Sequence, residues 1–297
     1  MAVNFATIDK LIEEGFLMDS RFNSPAEIAS LVSKSGVTKS MLSLSKMILL
    51  GLMAGAFIAF GGAASDVAMH GVADVGLARV VAGVIFPVGL MLVVFTGSEL
   101  FTGNCLMIIP TLEKKIKVAS MLRNLVVVYI SNFVGAMIID LLITFSGQLN
   151  YSNGGLGAFT IKVALAKTTI NPATAIVSGI LCNILVCLAI VMATGATDAI
   201  GKIFGVFFPI CAFVVCGFEH CVANMFYIPT GVMAAMNPEY VAKAQELYGI
   251  TAQQCQSLAN LSGCESLLFV TIGNIIGGMV FVGLPLYFAY IRKKKSA

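Results

Sequence analysis

Six long apolar runs separated by short polar segments organise the chain, at about residues 45 to 64, 78 to 111, 120 to 146, 172 to 194, 202 to 237 and 266 to 291. Runs of this length predict membrane-spanning helices, because about 20 apolar residues cross a hydrocarbon core of about 30 Å. The second and fifth runs are too long for one span and too short for two. Between Ile203 and Met236 only Glu219 and His220 ionise near neutral pH, and one straight helix over that stretch would reach about 51 Å. Between Val80 and Thr111 the only charge is Glu99. Both runs are therefore expected to be helices broken near the membrane midplane, their polar residues turned toward protein or water and away from lipid.

Ahead of the first span, Phe5, Ile8, Leu11, Ile12 and Phe16 recur at helical spacing and predict an amphipathic surface helix. A second helix is expected to start at Ser24-Pro25-Ala26-Glu27, with Ser24 as N-cap, and to stop at Gly36; its apolar face is Ile28, Leu31 and Val32. Residues 1 to 43 contain Lys10, Glu13, Glu14, Asp19 and Arg21 and no uninterrupted apolar core, so no signal peptide is expected there.

Composition agrees with the pattern: 58% of residues are hydrophobic and 11% charged, against about 25% charged in a soluble domain. The net charge of +3 gives no indication of nucleic-acid binding. Where the charges sit matters more. The N-terminal segment, the 112 to 123 turn, Lys202 and the tail Arg292 to Lys295 carry most of the lysine and arginine, leaving Arg79, Lys162, Lys167 and Lys243 for the opposite face. By the positive-inside rule both termini are expected in the cytoplasm and the 238 to 265 loop outside. Cys255 and Cys264 share that loop and are a candidate pair. With His70 and His220 the only histidines, no metal or other cofactor is expected.

The two long runs repeat one motif. Gly97-Ser98-Glu99-Leu100-Phe101-Thr102-Gly103-Asn104 matches Gly217-Phe218-Glu219-His220-Cys221-Val222-Ala223-Asn224 as G-x-E-x4-N, each after a Phe-Pro pair. Gly51-x3-Gly55 in span one answers Gly179-x3-Asn183 in span four, and Asn132-x2-Gly135 answers Asn274-x2-Gly277 in spans three and six. Three spans per half force the second half to enter the membrane upside down relative to the first, an inverted 3+3 repeat typical of transporters and channels.

At each break, Gly97 with Gly103 and Gly217 allow a compact loop, and a helix restarting there, near Gly103 or Val222, presents unpaired N–H groups to an anion. Glu99 and Glu219 are expected to brace the loops by accepting backbone N–H bonds. His220 is an imidazole, the side chain suited to proton exchange near neutral pH. Thr102, Asn183 and Asn224 are candidate hydrogen-bond partners at the same depth. Lys167 reads either as a solvated surface lysine or as a cation at a pore mouth that concentrates anions. Phe86, Leu90, Leu100, Phe101 and Phe213 read either as packing or as constrictions that strip a hydrated ion.

Taken together, Thr96 to Asn104, Gly217 to Asn224 and Thr271-Ile272-Gly273-Asn274-Ile275-Ile276-Gly277-Gly278 resemble the signatures of the formate/nitrite transporter family, over roughly residues 25 to 292. The resemblance implies an aquaporin-like, all-α membrane fold of six transmembrane helices per protomer and a homopentamer with one pore in each protomer. It divides the chain into cytoplasmic N-terminal helices (1 to 43), the pore domain (44 to 292) and a basic cytoplasmic tail (293 to 297). It implies His220 as central histidine, Thr102 as the loop threonine, Lys167 as vestibule lysine, and Asn183 and Asn224 as the histidine's asparagine neighbours. Leu90, Phe213, Leu100 and Phe101 match its constrictions and Phe86 a further pore-lining aromatic. The implied activity is pH-dependent, proton-coupled passage of a small monovalent anion across the lipid bilayer. Formate is the first choice; nitrite, hydrosulfide and lactate are alternatives. A neutral-solute channel and a thiol enzyme built on Cys216 and Cys221 are the rival readings.

Overall fold

The computed structural model describes residues 22–292. The helix expected at residues 5 to 17 and the tail at 293 to 297 lie outside the described residues.

The polar prelude folds first into α1 (Pro25–Ser40), started by a complete capping box. The Ser24 N–H donates to Glu27 Oε2 at 2.7 Å, and the Glu27 N–H returns to Ser24 Oγ. The Ser24 hydroxyl, which also donates to Glu27 Oε2, and the Ser24 N–H hold the exposed Glu27 carboxyl below its ordinary range. The helix does not stop at Gly36 but continues through it, because Gly36 lies against Pro110, where an added Cβ would stand 2.7 Å from the ring. Ile28 and Val32 are buried as expected, whereas Leu31 is exposed.

Six helices are long and apolar enough to cross a membrane among the described residues. They are α2 (Leu44–Met69), α3 (Val75–Thr96), α5 (Val118–Phe145), α7 (Pro172–Gly195), α8 (Ala199–Cys216) and α12 (Ser266–Ile291). The second apolar run is divided between α3 and the shorter α4 (Phe101–Leu112), and the fifth between α8 and α9 (Cys221–Ala235). The segment ahead of span four forms α6 (Gly155–Thr168). The stretch from 238 to 265, expected as a polar loop, instead contains α10 (Pro238–Tyr248) and α11 (Ala252–Ala259). Asn237 caps α10 and Thr251 caps α11, signals that short, weakly apolar segments make easy to overlook. Cys255 and Cys264 do not pair; both are free thiols pushed up by burial.

The exterior is apolar: Phe60, Phe95, Ile130, Phe145, Phe204 and Phe281 are exposed, while Asn132, Asn183 and Asn274 are buried. That distribution suits a protein surrounded by hydrocarbon with its polar groups satisfied internally. Helices α2 and α5 approach closely enough that a Cβ on Gly55 would strike the Asn132 carbonyl, and one on Gly135 the Leu52 carbonyl. Helices α7 and α12 repeat this, with Gly179 against the Val270 carbonyl and Gly277 against that of Ile180. Small residues substitute for hydrophobic driving force between helices in lipid. These two tight pairs hold the asparagines that shape the site.

Candidate functional site

Each break begins with a glycine in the left-handed region, φ +66 at Gly97 and +72 at Gly217, a conformation that costs other L-residues about 1 kcal/mol or more. The Ser98 N–H reaches the Val93 carbonyl at 3.0 Å, and the Phe218 N–H reaches that of Phe213 at 3.1 Å. Both are the helix-closing bond of a Schellman motif. Gly103 has no such role: it lies inside the first turn of α4, with only ordinary contact to Ile190 around it. The new helices start at Phe101 and Cys221, earlier than the expected Gly103 and Val222.

Asparagines from neighbouring helices staple both breaks in the same way. The Phe101 N–H donates to Asn132 Oδ1 at 2.9 Å, while Asn132 Nδ2 donates to the Gly51 and Glu99 carbonyls. The Cys221 N–H donates to Asn274 Oδ1 at 2.9 Å, while Asn274 Nδ2 donates to the Gly179 and Glu219 carbonyls. One buried amide thus bonds two backbone groups of the break and ties them to a carbonyl inside the neighbouring helix, Gly51 of α2 or Gly179 of α7. Sequence reasoning found the two asparagines as a repeat and missed this task.

Glu99 and Glu219 brace their loops, but against side chains and not backbone N–H groups. Lys39 Nζ meets Glu99 Oε1 at 2.7 Å and Asn104 Oδ1 at 2.9 Å; Asn104 Nδ2 donates to Glu99 Oε2 and to Asn124 Oδ1. In the second half Lys167 Nζ meets Glu219 Oε1 at 2.6 Å and Asn224 Nδ2 donates to Glu219 Oε2 at 2.8 Å. Asn224 Oδ1 is buried without a partner among the described residues. Lys167 is therefore ion-paired and not a free surface cation. Its counterpart Lys39, at the end of α1, was missed, because nothing in its polar surroundings connects it to an acid 60 positions away.

His220 occupies the N-cap position of α9, where the first half has Leu100. Its Nδ1 accepts the Ala223 N–H at 3.1 Å, which places the proton of the neutral ring on Nε2, 2.9 Å from Thr102 Oγ1. The structure thus joins Thr102 and His220, residues 118 apart in sequence. Asn183 does not join them as a free donor: its Nδ2 is engaged by the Thr102 and Asn274 carbonyls at 3.2 and 2.6 Å. It positions the Thr102 backbone.

A cavity of about 300 Å³ reaches His220, lined also by Arg79, Lys162, Lys167, Asn224 and Tyr227. Phe86 and Phe213 belong to its wall and meet edge to face, centroids 5.5 Å apart. Phe213 lies 5.9 Å from the His220 ring. Leu90, Leu100 and Phe101 are buried outside that lining, and Phe101 packs edge-on against Tyr129. Cys216 is exposed and Cys221 buried on either side of the break. Among the described residues no group of three or more histidine, cysteine or acidic side chains is arranged to hold a metal.

Comparison with known proteins bears on this arrangement. A family model described as "Formate/nitrite transporter" matches residues 26–288. A "Probable formate transporter" of Methanothermobacter thermautotrophicus is 39% identical over 294 residues, taking in 93% of this chain and all of that one. The "Formate channel FocA" of Escherichia coli (strain K12) is 33% identical over 91% of this chain and 95% of its own. Among solved structures, a "Pentameric formate channel with formate bound" superposes with a TM-score of 0.74 at 31% identity, covering 84% of this chain and 98% of that one.

Proposed function

The chain belongs to the formate/nitrite transporter family, and from that premise we propose that it is a pH-dependent pore for small monovalent anions, with formate as its main substrate. Its family is one of transporters and not of enzymes. The observation that carries the reading is the Thr102–His220 hydrogen bond beside a cavity walled by cations and aromatic rings.

In this reading the two halves, whose breaks share the same glycine turn and asparagine staple, enter the membrane in opposite senses, so both breaks meet near the midplane. The positive-inside rule puts Lys39 on the cytoplasmic side and Lys167 on the outer side. The relatedness to a pentameric formate channel supports a homopentamer with a pore in each protomer. An anion entering from outside passes the Phe86–Phe213 pair, which displaces its water, and meets the Thr102 hydroxyl. Because that oxygen accepts the His220 Nε2–H, its own proton is free to point at the anion. A charge in an apolar setting is costly, and this donor reduces the cost where the rings have removed water.

Full proton transfer asks more of His220 than hydrogen-bond donation. A neutral imidazole with its only proton on Nε2 must first gain a second on Nδ1, which displaces the Ala223 N–H and uncaps α9. We assign proton-coupled passage to acidic conditions, where that second proton is supplied, and hydrogen-bond-assisted passage to neutral pH. The test is uptake of labelled formate, nitrite, hydrosulfide and lactate across a pH series in one proteoliposome preparation. Formate uptake that leads the four and rises as pH falls is expected. Uptake of glycerol or water in place of every anion would replace this reading with a neutral-solute channel.

A further inference from the structure

The cavity wall contains three cations, Arg79, Lys162 and Lys167, and no carboxylate among the described residues. The three are not equivalent. Lys167 Nζ is 2.6 Å from Glu219 Oε1, with both side chains largely shielded, so this pair presents little net charge to an approaching anion. Neither Arg79 nor Lys162 has a carboxylate within salt-bridge distance among the described residues. Asp74, near Arg79 in sequence, accepts the Leu77 N–H at 2.7 Å as the cap of α3.

Each of the two cations is held by neutral or dipolar partners that fix its position without cancelling its charge. The Arg79 guanidinium lies across Gly217, where an added Cβ would stand 2.9 Å from Nη1 and 3.3 Å from Cζ. This is the carboxyl end of α8, whose partial negative charge suits a guanidinium. Lys162 Nζ lies over the Tyr248 ring at 4.5 Å and the Phe159 ring at 5.9 Å, an attraction that leaves the ammonium charged. The first break has no equivalent: nothing lies within 4 Å of a Cβ added at Gly97.

We propose that Arg79 and Lys162, and not Lys167, are the residues that concentrate the anion in this vestibule, while Lys167 acts as a positioning residue that neutralises Glu219. The proposal rests on the reading of this cavity as an anion vestibule. It makes Arg79 and Lys162 determinants of preference for an anion over a neutral solute of the same size. Two unit charges about 8 Å apart in water interact weakly, enough for about a twofold enrichment per cation, and salt screens that effect. The signature is thus a loss of salt dependence, which a merely structural defect does not produce.

The experiment is uptake of labelled formate at subsaturating concentration into proteoliposomes, at fixed pH, in low and in high ionic strength. Wild type is compared with Arg79→Gln, Lys162→Gln, their combination and Arg79→Lys. We expect the double variant to take up formate about fourfold more slowly at low ionic strength, to match wild type at high ionic strength, and to lose most of the salt slope. Arg79→Lys should keep that slope. A double variant with the wild-type slope overturns the proposal. If Arg79→Gln disrupts the end of α8, Lys162→Gln alone must still flatten the slope, and its failure to do so counts equally against the proposal. Wild type that carries none of formate, nitrite, hydrosulfide or lactate overturns the parent reading as well, a result distinct from unchanged slopes in an active channel.

Discussion

The two breaks share a backbone and differ in how their side chains are finished. Gly97 and Gly217 turn the chain alike, Asn132 and Asn274 staple it alike, and Glu99 and Glu219 each take one lysine and the asparagine five positions on. The first network is closed, because Lys39 also bonds Asn104 Oδ1 and Asn124 joins from α5. The second is open: among the described residues Asn224 Oδ1 has no partner and Lys167 bonds the acid alone, and a histidine stands where the first has Leu100. The two breaks share their scaffold, and they differ in the side chains that finish it.

Breaking the ion pairs should produce the largest losses of stability. Lys39→Met or Lys167→Met leaves a buried carboxylate uncompensated, a change that costs about 3–5 kcal/mol when a partner of a buried pair is removed. Lys39→Met should be the worse, since it strips Asn104 as well. Thermal unfolding in detergent measures both, and Glu219→Gln added to Lys167→Met should recover most of the loss.

The staples test the matched side of the comparison. Asn132→Ala and Asn274→Ala each remove three hydrogen bonds to the backbone, for an expected loss of about 3 kcal/mol at about 1 kcal/mol per bond. Near-equal shifts in melting temperature are expected. A much larger effect at one site would show that the halves do not bear load alike.

The glycines should separate the halves more gently. Gly97→Ala meets backbone strain of about 1–2 kcal/mol, whereas Gly217→Ala meets that strain and the Arg79 guanidinium. The second variant should therefore melt lower than the first.

The smallest effect is expected at the foot of α1, the helix that carries Lys39. Glu27 has its pKa lowered by the Ser24 hydroxyl and N–H. A lowered carboxyl stabilises the fold above its ordinary pKa, and that contribution is lost as pH falls through the folded value. Proteolysis of α1 should quicken at acid pH in wild type, and Ser24→Ala should weaken that dependence.

Much of this was legible because the breaks are written in sequence twice. The repeated G-x-E-x4-N motif locates both loops and contains the threonine and the histidine that meet across them. The role of Asn132 and Asn274 was not legible, since a repeat shows that a residue matters in both halves but not which backbone atoms it holds. Lys39 was hidden by distance along the chain and by a helix that passes through Gly36 when local signals stop it there. Gly103 shows the opposite error: a glycine beside a break was given a turn role, but the helix had already restarted at Phe101. Lys167 and Asn183 were identified with too much freedom, because sequence cannot show that Glu219 and two carbonyls already occupy them.

The central claim is that the His220 imidazole, through Thr102, serves the anion and not only the fold. His220→Asn keeps a side chain able to cap α9 but removes the imidazole. Formate uptake by this variant in proteoliposomes should fall at least about tenfold, a barrier increase of about 1.4 kcal/mol, and lose its rise toward acid pH, with a melting temperature close to wild type. Uptake with the wild-type rate and pH dependence would contradict the account.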